Sequence, residues 1–152
     1  MIEQQLSAAI CPVCGGHLNS VPEEREVRIG RRSARVVDEF ERCDDCGETF
    51  YAPGQLDETL RRASDLIRQE EGLLSPATIR GIREKLGLTQ KAFEDLLGVG
   101  PKTAVRWEKG TVFQNRSTDS LLRVIDALPE SAVFLARLHG VPLRDHPEVA
   151  VQ

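Results

Sequence analysis

Four cysteines in two Cys-x-x-Cys pairs are the strongest constraint on how this chain can fold. The pairs are Cys11–Cys14 and Cys43–Cys46; they contain every cysteine of the 152-residue sequence, and 28 residues separate them. Two cysteines spaced in this way can direct both sulfurs at one ion, and two such pairs supply the four ligands of a tetrahedral zinc site. The sequence therefore predicts a structural Zn²⁺ ion held by Cys11, Cys14, Cys43 and Cys46.

Two other uses of the cysteines remain open from the sequence. Disulfides would suit a secreted protein, and a single Cys-x-x-Cys pair would suit a redox dithiol. The N-terminus lacks the basic start and apolar core of a signal peptide, and no apolar run approaches the ~18 residues of a membrane span. These features favour a cytoplasmic protein, without membrane association, whose thiols stay reduced and free for metal.

The segment that contains the cysteines is predicted to be rich in β-structure. Val27 and Ile29 alternate with polar neighbours, and residues 33–43 are rich in β-branched and aromatic side chains. The sequence Gly30-Arg31-Arg32 between them suits a turn. We expect about four strands with little apolar core, so that metal binding and folding would be coupled.

The remainder of the chain predicts helices. Residues 55–71 place apolar side chains at i, i+4, i+7 and i+11, which is one stripe of a helix, and Gly72 suits its end. Further helices are predicted from start and stop signals: from Pro76 after the N-cap Ser75, over Gln90–Leu97 after Thr89, from near Pro101 to Lys109, from the N-cap Ser117 to Leu128, and over Glu130–Leu138.

Residues 88–110 carry the pattern of a helix-turn-helix. Ala92 is small where two helices would cross closely, and Leu97-Gly98-Val99 supplies a helix stop followed by an apolar plug. Ala104 and Trp107 would face the core from the second helix. A plain bundle of four or five helices with a solvated basic face is the alternative interpretation.

The outward side of the second helix is basic. Lys102 and Arg106 are four residues apart and so project from one face, which could enter the major groove of DNA. Arg106 could donate a bidentate pair to guanine, and Lys102 could contact a base or a phosphate. Thr103, Lys109 and Gln90, at the start of the preceding helix, are further phosphate candidates. The predicted DNA-binding residues are therefore Gln90, Lys102, Thr103, Arg106 and Lys109.

These patterns predict an α+β protein: a small β-rich zinc-binding domain with four cysteine ligands, followed by an all-α helix-turn-helix domain. The predicted limits are an N-terminal extension at 1–10, a zinc-binding domain with a trailing helix at 11–74, a helix-turn-helix domain at 75–140, and a tail at 141–152. We expect the tail to be extended or disordered.

Charge is distributed unevenly over these domains. The formal net charge is −4, yet residues 76–128 hold 9 basic and 6 acidic groups, whereas residues 1–52 hold 6 and 10. Only the helical segment suits a polyanion such as duplex DNA. The acidic first segment suits a basic protein partner, although a solvated surface explains its charge as well.

The order of the motifs resembles a known family. The strings are CPVCGG at 11–16, CDDCGE at 43–48, LTQ at 88–90, GVGPKTAVRWEKG at 98–110 and LLRVID at 121–126. The helical part resembles the Cro/repressor-type (XRE) helix-turn-helix class. The whole order, from Cys11 to Leu128, is similar to the MqsA antitoxin family, also called the YgiT-type zinc-finger/helix-turn-helix family.

The resemblance implies a bacterial antitoxin. Members neutralise a toxin, often an mRNA-cleaving RNase, through the zinc domain, and they repress their operon as homodimers that bind a palindromic operator in double-stranded DNA. It implies that the four cysteines are structural zinc ligands and that Arg106 reads a base. Lys102 stands where the family has a base-reading asparagine, so the operator is expected to differ. The helix with residues 121–125 is expected at the dimer seam, although packing within one subunit explains its leucines equally well.

Two further functions are compatible with the motifs. One is a zinc-finger/helix-turn-helix transcription regulator without a toxin partner, whose first domain senses metal or binds another protein. The other is an enzyme that acts on nucleic acid, such as a small zinc hydrolase. Four cysteine ligands leave no open position for a water molecule, and His17, His139 and His146 are predicted to lie on the surface. We therefore predict no catalytic residue.

Overall fold

A computed structural model describes residues 10–144 of the chain. The chain divides into two compact units, which we call the N-terminal unit (Met1–Ile67) and the C-terminal unit (Arg68–Gln152). The N-terminal unit contains an antiparallel sheet and the first turns of a helix, and the C-terminal unit is helical. The predicted α+β fold class is confirmed.

The N-terminal unit is built on a long β-hairpin. Strands β1 (Leu18–Ile29) and β2 (Arg32–Cys43) pair antiparallel along their full length, and the short β3 (Thr49–Phe50) pairs with the end of β2. Gly30 opens the two-residue turn with φ +63°, a value that suits the first position of a type II′ turn. The described residues therefore form three strands, where we predicted about four, together with one isolated bridge between Ile10 and His17.

A buried carboxylate ties the elements of the N-terminal unit together. Asp38, on β2, is 1% exposed and accepts hydrogen bonds from the Tyr51 hydroxyl (2.7 Å) and from Thr59 Oγ1 (2.9 Å). A guanidinium nitrogen of Arg25 lies 3.4 Å from it, and the same guanidinium covers the ring of Phe40 at 4.2 Å. A buried charge is tolerated only when it is paired and hydrogen-bonded in this way. The hydrogen bond to Asp38, together with burial, raises the pKa of Tyr51.

The helices follow the bounds that the sequence predicts closely. Ser75 caps the second helix by accepting from the backbone N–H of Thr78, and Thr89 caps the third by accepting from that of Ala92. Among the described residues no helix combines the length and the apolar character that crossing a membrane requires. The helices are α1 (Gln55–Glu71), α2 (Pro76–Lys85), α3 (Gln90–Leu97), α4 (Thr103–Lys109), α5 (Arg116–Ala127) and α6 (Pro129–His139).

One predicted cap is wrong. We expected Ser117 to cap α5, but the helix begins two residues earlier, at Arg116, and Asn115 is the N-cap. Its side-chain oxygen accepts a hydrogen bond of 2.8 Å from the backbone N–H of Thr118. Asparagine and serine are comparable N-caps, so the local sequence offered two starts, and the packing of the buried Asp119 and Leu122 selected the earlier one.

The chain after α6 returns to the core of the C-terminal unit. Gly140 takes the left-handed conformation, and the backbone N–H of Val141 donates to the carbonyl of Ala136 (2.9 Å). This is the Schellman pattern, which commonly brings the apolar residue after the glycine back onto the helix. Val141 and Leu143 are 4% and 6% exposed, a burial that the expected tail did not include. Residues 145–152 of that tail, with His146, and residues 1–9 of the extension lie outside the described residues.

Candidate metal centre and nucleic-acid interface

The four cysteines converge on one point. All four sulfurs lie within 4.8 Å of one another, with 3.7 Å between those of Cys11 and Cys46 and 3.4 Å between those of Cys14 and Cys43. Sulfurs at about 2.3 Å from a tetrahedral ion would be about 3.8 Å apart, whereas a disulfide needs about 2.05 Å. The cysteines are free thiols, and their geometry fits one metal ion.

The two Cys-x-x-Cys pairs have the same backbone fold. The N–H of Cys11 and that of Cys43 each donate, at 2.9 Å, to the carbonyl five residues on. Four residues after each of these cysteines a glycine donates back to its carbonyl, with Gly15 at φ +76° and Gly47 at φ +75°. Other residues rarely adopt this conformation, so each glycine allows the chain to turn under the metal position.

Gly16, the second glycine after the first Cys-x-x-Cys pair, is required by packing and not by its backbone conformation. A Cβ atom at Gly16 would overlap the carboxylate of Asp45 and would lie 2.9 Å from Cys43 Sγ. The two pairs are also joined directly, because the backbone N–H of Asp44 donates to the carbonyl of His17 (3.0 Å). A side chain at position 16 would therefore push the two halves of the sulfur cluster apart. The string CPVCGG contains this glycine, but the sequence offers no reason for it.

The charges of the clustered sulfurs call for a cation. A hydrogen bond from the backbone N–H of Cys46 lowers the pKa of Cys43 to about 7. Although the backbone N–H of Glu48 acts in the opposite direction, burial and the neighbouring sulfurs raise the pKa of Cys46 to about 12. Four adjacent thiolates would repel one another, and a divalent metal ion replaces their protons when it binds. A closed set of four sulfur donors suits zinc or iron and leaves no open ligand position.

In the C-terminal unit, α3 and α4 form the helix-turn-helix. Gly98 ends α3 in the left-handed conformation, and Trp107 of α4 is 4% exposed in the core, as predicted. Glu94 of α3 is also buried, and its Oε2 accepts a hydrogen bond from the backbone N–H of Ala104 (3.2 Å). A carboxylate at the start of a helix is favoured by the helix dipole. Glu94 therefore fixes the beginning of α4 to α3. This role was not predicted from the sequence, although the acid falls on the side of α3 that also carries the apolar Phe93 and Leu97.

The predicted DNA-binding side chains of α4 are free to meet a ligand. Lys102, Arg106 and Lys109 are exposed, and Thr103 is half-buried. Within residues 10–144 none of the three cations forms an ion pair, whereas Arg83, Lys85, Lys91 and Arg123 of the same unit all do. The outward side of α4 is therefore an uncompensated positive surface.

Lys102 has an unusual backbone. Its φ is +66°, the only positive φ of a non-glycine residue in the part of the chain that the structure describes. This conformation costs roughly 1–2 kcal/mol for a residue with a Cβ atom. Strained residues of this kind cluster at functional sites and persist because the surrounding structure holds them.

Gln90 is held by the protein itself. Its Nε2 donates to the carboxylate of Glu108 (2.6 Å), which also accepts from Arg83 Nε (2.5 Å). Glu108 is thus paired with a cation, and its side chain is 7% exposed. The three side chains come from α3, α4 and α2, so they lock the helix-turn-helix together and orient Gln90.

Acid should destabilise the C-terminal unit through two buried carboxylates. Burial raises the pKa of Glu108, but hydrogen bonds from Arg83 and Gln90 lower it below its ordinary value, and contacts with Leu74, Gln114 and Arg123 do the same for Asp119. A pKa that is lower in the folded state contributes stability above the unfolded-state value, about 4, and this stability is lost as the pH falls through the folded-state value.

We therefore expect the free energy of unfolding to fall between about pH 5 and pH 3 in the native protein, and to fall less in Glu108→Gln. Fluorescence of Trp107, the one tryptophan of the sequence, reports denaturant unfolding of this unit. Glu84→Gln is the matched control, because Glu84 is exposed and pairs with Arg80 on the surface. Equal acid sensitivity of the native protein and Glu108→Gln would contradict the assignment.

Comparison with known proteins decides the family. The family model described as the antitoxin component of bacterial toxin-antitoxin systems, MqsA, matches residues 9–133. The chain belongs to the MqsA antitoxin family. It is 28% identical over 123 residues to Antitoxin MqsA of Escherichia coli (strain K12), an alignment that covers 79% of this chain and 94% of that protein. Membership of the MqsA family supports an antitoxin role in a toxin-antitoxin system and favours a regulatory protein over an enzyme.

The MqsA-family match includes both candidate sites. The four cysteines and the five predicted DNA-binding residues all lie within it. The match ends inside α6, so the rest of that helix and the buried Val141 and Leu143 lie beyond the MqsA pattern. His17 and His139 are exposed, as predicted, and neither belongs to the metal-binding cluster among the described residues.

Proposed function

We propose that this antitoxin neutralises a cognate toxin, a basic RNase, through its metal domain and represses its own operon by binding a palindromic operator. The proposed DNA binding rests on the unpaired basic side of α4, which is exposed on a helix-turn-helix. The proposed toxin binding is supported by the family, and the excess of acidic over basic groups in residues 1–52 suits a basic partner.

Zinc is the proposed ion, and its proposed role is structural. Four sulfur ligands at tetrahedral spacing are the usual set of structural zinc sites. A hydrolytic zinc site would need a position open to water, which this closed set does not offer. The ion would hold the two Cys-x-x-Cys pairs together and so shape the surface that meets the toxin.

The proposed DNA contacts divide into two classes. Arg106 is assigned to a base edge, because it is exposed near the middle of α4 and can donate two parallel hydrogen bonds to guanine. Lys102 is assigned to a base or a phosphate at the start of α4. Thr103, Lys109 and Gln90 are assigned to phosphates, with Gln90 oriented by Glu108.

We further propose that the C-terminal unit forms a homodimer through α5. Leu122 and Ile125 of this helix are buried in the core of one subunit, which accounts for part of the leucine-rich segment 121–125. Val124 and Leu128 are 43% and 51% exposed and remain available. A palindromic operator requires two copies related by a twofold axis, and an exposed apolar face on a helix next to the DNA-binding motif suits that contact.

The toxin surface is proposed on the N-terminal unit. Val13, Val37 and Tyr51 are 67%, 46% and 43% exposed there, so their apolar atoms are available to a partner protein. A transcription regulator without a toxin partner is the alternative, since it would use the same DNA-binding surface and leave these residues to another ligand.

One experiment separates the two functions. The protein encoded beside this chain is expressed alone and together with the chain, and growth is measured; the chain is also footprinted on its own promoter. We expect the protein encoded beside this chain to arrest growth when it is expressed alone, and co-expression of the native chain to restore growth. Co-expression of Arg106→Ala should also restore growth, but this variant should leave no footprint on the promoter. A harmless neighbour with an intact footprint would favour the regulator without a toxin, and the absence of any footprint would refute the DNA-binding role.

A further inference from the structure

Residues 68–74, the last turn of α1 and the chain that follows it, pack into the C-terminal unit; we call them the connector segment. The N–H of Leu74 donates to Asp119 (2.8 Å), and its carbonyl accepts from Gln114 Nε2 (2.9 Å). Gln114 and Asp119 are 2% and 6% exposed. Arg123 Nη2 donates to the carbonyl of Gly72 (2.7 Å). Polar side chains of the C-terminal unit, two of them buried, therefore hold this segment against the helices of that unit.

Arg68, the first residue of the connector segment, reaches the end of α4. It is 4% exposed, its Nη2 donates to the carbonyl of Gly110 (3.2 Å), and its guanidinium carbon lies 4.7 Å from the centre of the Phe113 ring. Gly110 is the left-handed C-cap of α4, with φ +75°. A cation at the C-terminal end of a helix is favoured by the helix dipole, and the ring fixes the plane of the guanidinium.

We propose that Arg68 is a positioning residue for DNA recognition, an inference that rests on the proposed DNA-binding function. The turn that Arg68 holds carries Arg106 and Lys109. In that turn the carbonyl of Arg106 accepts the backbone N–H (3.0 Å) and the hydroxyl (3.2 Å) of Thr111. Because Arg68 is buried, it acts through the position of α4 and not by touching DNA.

Because α4 is short, groups from other elements are needed to fix its direction. The helix has seven residues, and its N-cap residue, Lys102, makes no capping hydrogen bond with its side chain. A helix of two turns has little stability of its own, so its direction is set by the groups that hold its ends. Glu94 holds the beginning and Arg68 holds the end. A bidentate contact with a base depends strictly on direction, whereas a contact with a phosphate tolerates a shift.

The test compares specific with non-specific DNA binding in the full chain. The probes are the duplex that the native protein selects from a random pool and a scrambled duplex of the same length. For Arg68→Met and Arg68→Lys we expect the ratio of specific to non-specific affinity to fall at least about tenfold. A fall of this size corresponds to the loss of one charge-assisted hydrogen bond between a misdirected Arg106 and its base. Non-specific affinity and its salt dependence should stay unchanged. Phe113→Leu should act in the same direction, and Arg80→Met, on the exposed side of α2, is the matched control.

Amide exchange provides a readout that does not depend on DNA. In Arg68→Lys the amides of Gly110 and Thr111 should exchange about tenfold faster, while those of α3 stay protected. If Arg68→Met fails to fold, Arg68→Lys and Phe113→Leu decide the question. Faster exchange with an unchanged affinity ratio would overturn the positioning role. A decrease in the salt dependence of binding that corresponds to about one phosphate contact would also overturn it, because Arg68 would then touch DNA.

The failure of the proposed function gives a different result. If the native protein selects no duplex, DNA binding is refuted whatever Arg68 does. In that case the exchange of Gly110 and Thr111 alone tests whether Arg68 holds the end of α4, and native-like protection in Arg68→Lys would overturn the inference.

Discussion

Chelation of the metal ion should unfold residues 11–52 and leave the helices of the C-terminal unit folded. Among its described residues the N-terminal unit has six buried apolar side chains, and two of them, Cys11 and Cys43, belong to the sulfur cluster. A structural zinc ion contributes an apparent ~10–16 kcal/mol at neutral pH, which is comparable with the whole stability of a small domain. Within residues 68–144, the C-terminal unit has a core of fourteen buried apolar residues that includes no cysteine.

Amide hydrogen exchange with and without a chelator measures this difference. We expect protection of β1 and β2 to disappear on chelation and to return when Zn²⁺ is added in excess, while fluorescence of Trp107 stays native. Cys14→Ser should behave as the chelated protein does, because three sulfurs and a hydroxyl bind zinc more weakly. Retained protection in both units would show that the sheet is stable without metal, and loss in both would show that the units do not fold independently.

The second large effect is expected from Arg106. Arg106→Ala should lose about 1–3 kcal/mol of discrimination at one base pair, because a bidentate contact disappears. Lys109→Ala should weaken binding to all duplexes alike and reduce the salt slope by about 0.9, because a phosphate contact disappears. Both side chains are exposed and unpaired within residues 10–144, so neither change should lower the melting temperature. Binding to the selected duplex and to scrambled duplexes, each at several salt concentrations, measures the difference.

Lys102→Gly is the informative control for that experiment. Glycine adopts φ +66° without cost, so the variant should be more stable by about 1 kcal/mol while it binds DNA more weakly. A gain in stability together with a loss of binding would separate the side chain's role in recognition from any role in folding. Equal, uniform losses from Arg106→Ala and Lys109→Ala would contradict the division into base and phosphate contacts.

The features that sequence predicted well have local causes. The Cys-x-x-Cys spacing sets the distance between two sulfurs, and Ser75 and Thr89 satisfy backbone N–H groups only three residues away. Arg106 and Lys109 are exposed on α4, as helical spacing predicts, whereas Lys102 is exposed as the non-helical N-cap of that helix. Each of these signals lies within a few residues of the structure that it predicts, so one sequence is enough to recognise it.

The features that sequence missed depend on distant partners. Glu94, Glu108 and Arg68 are charged residues, and nothing near them in the chain shows that each is held by a group on another element. The burial of Val141 and Leu143 depends likewise on a core formed by earlier helices. The N-cap of α5 was misplaced because Asn115 and Ser117 are locally equivalent, and only packing distinguishes them.

The shortness of α4 limits how its DNA preference could be moved to another protein. A synthetic peptide of residues 102–110 would be mostly unfolded in water, and exchanging this segment between relatives would transplant side chains without the scaffold that aims them. A successful graft would have to include the acidic anchor at position 94 and the arginine at position 68, which lie outside the motif. Retargeting this protein to a new sequence is therefore a problem of engineering three separate stretches of chain together.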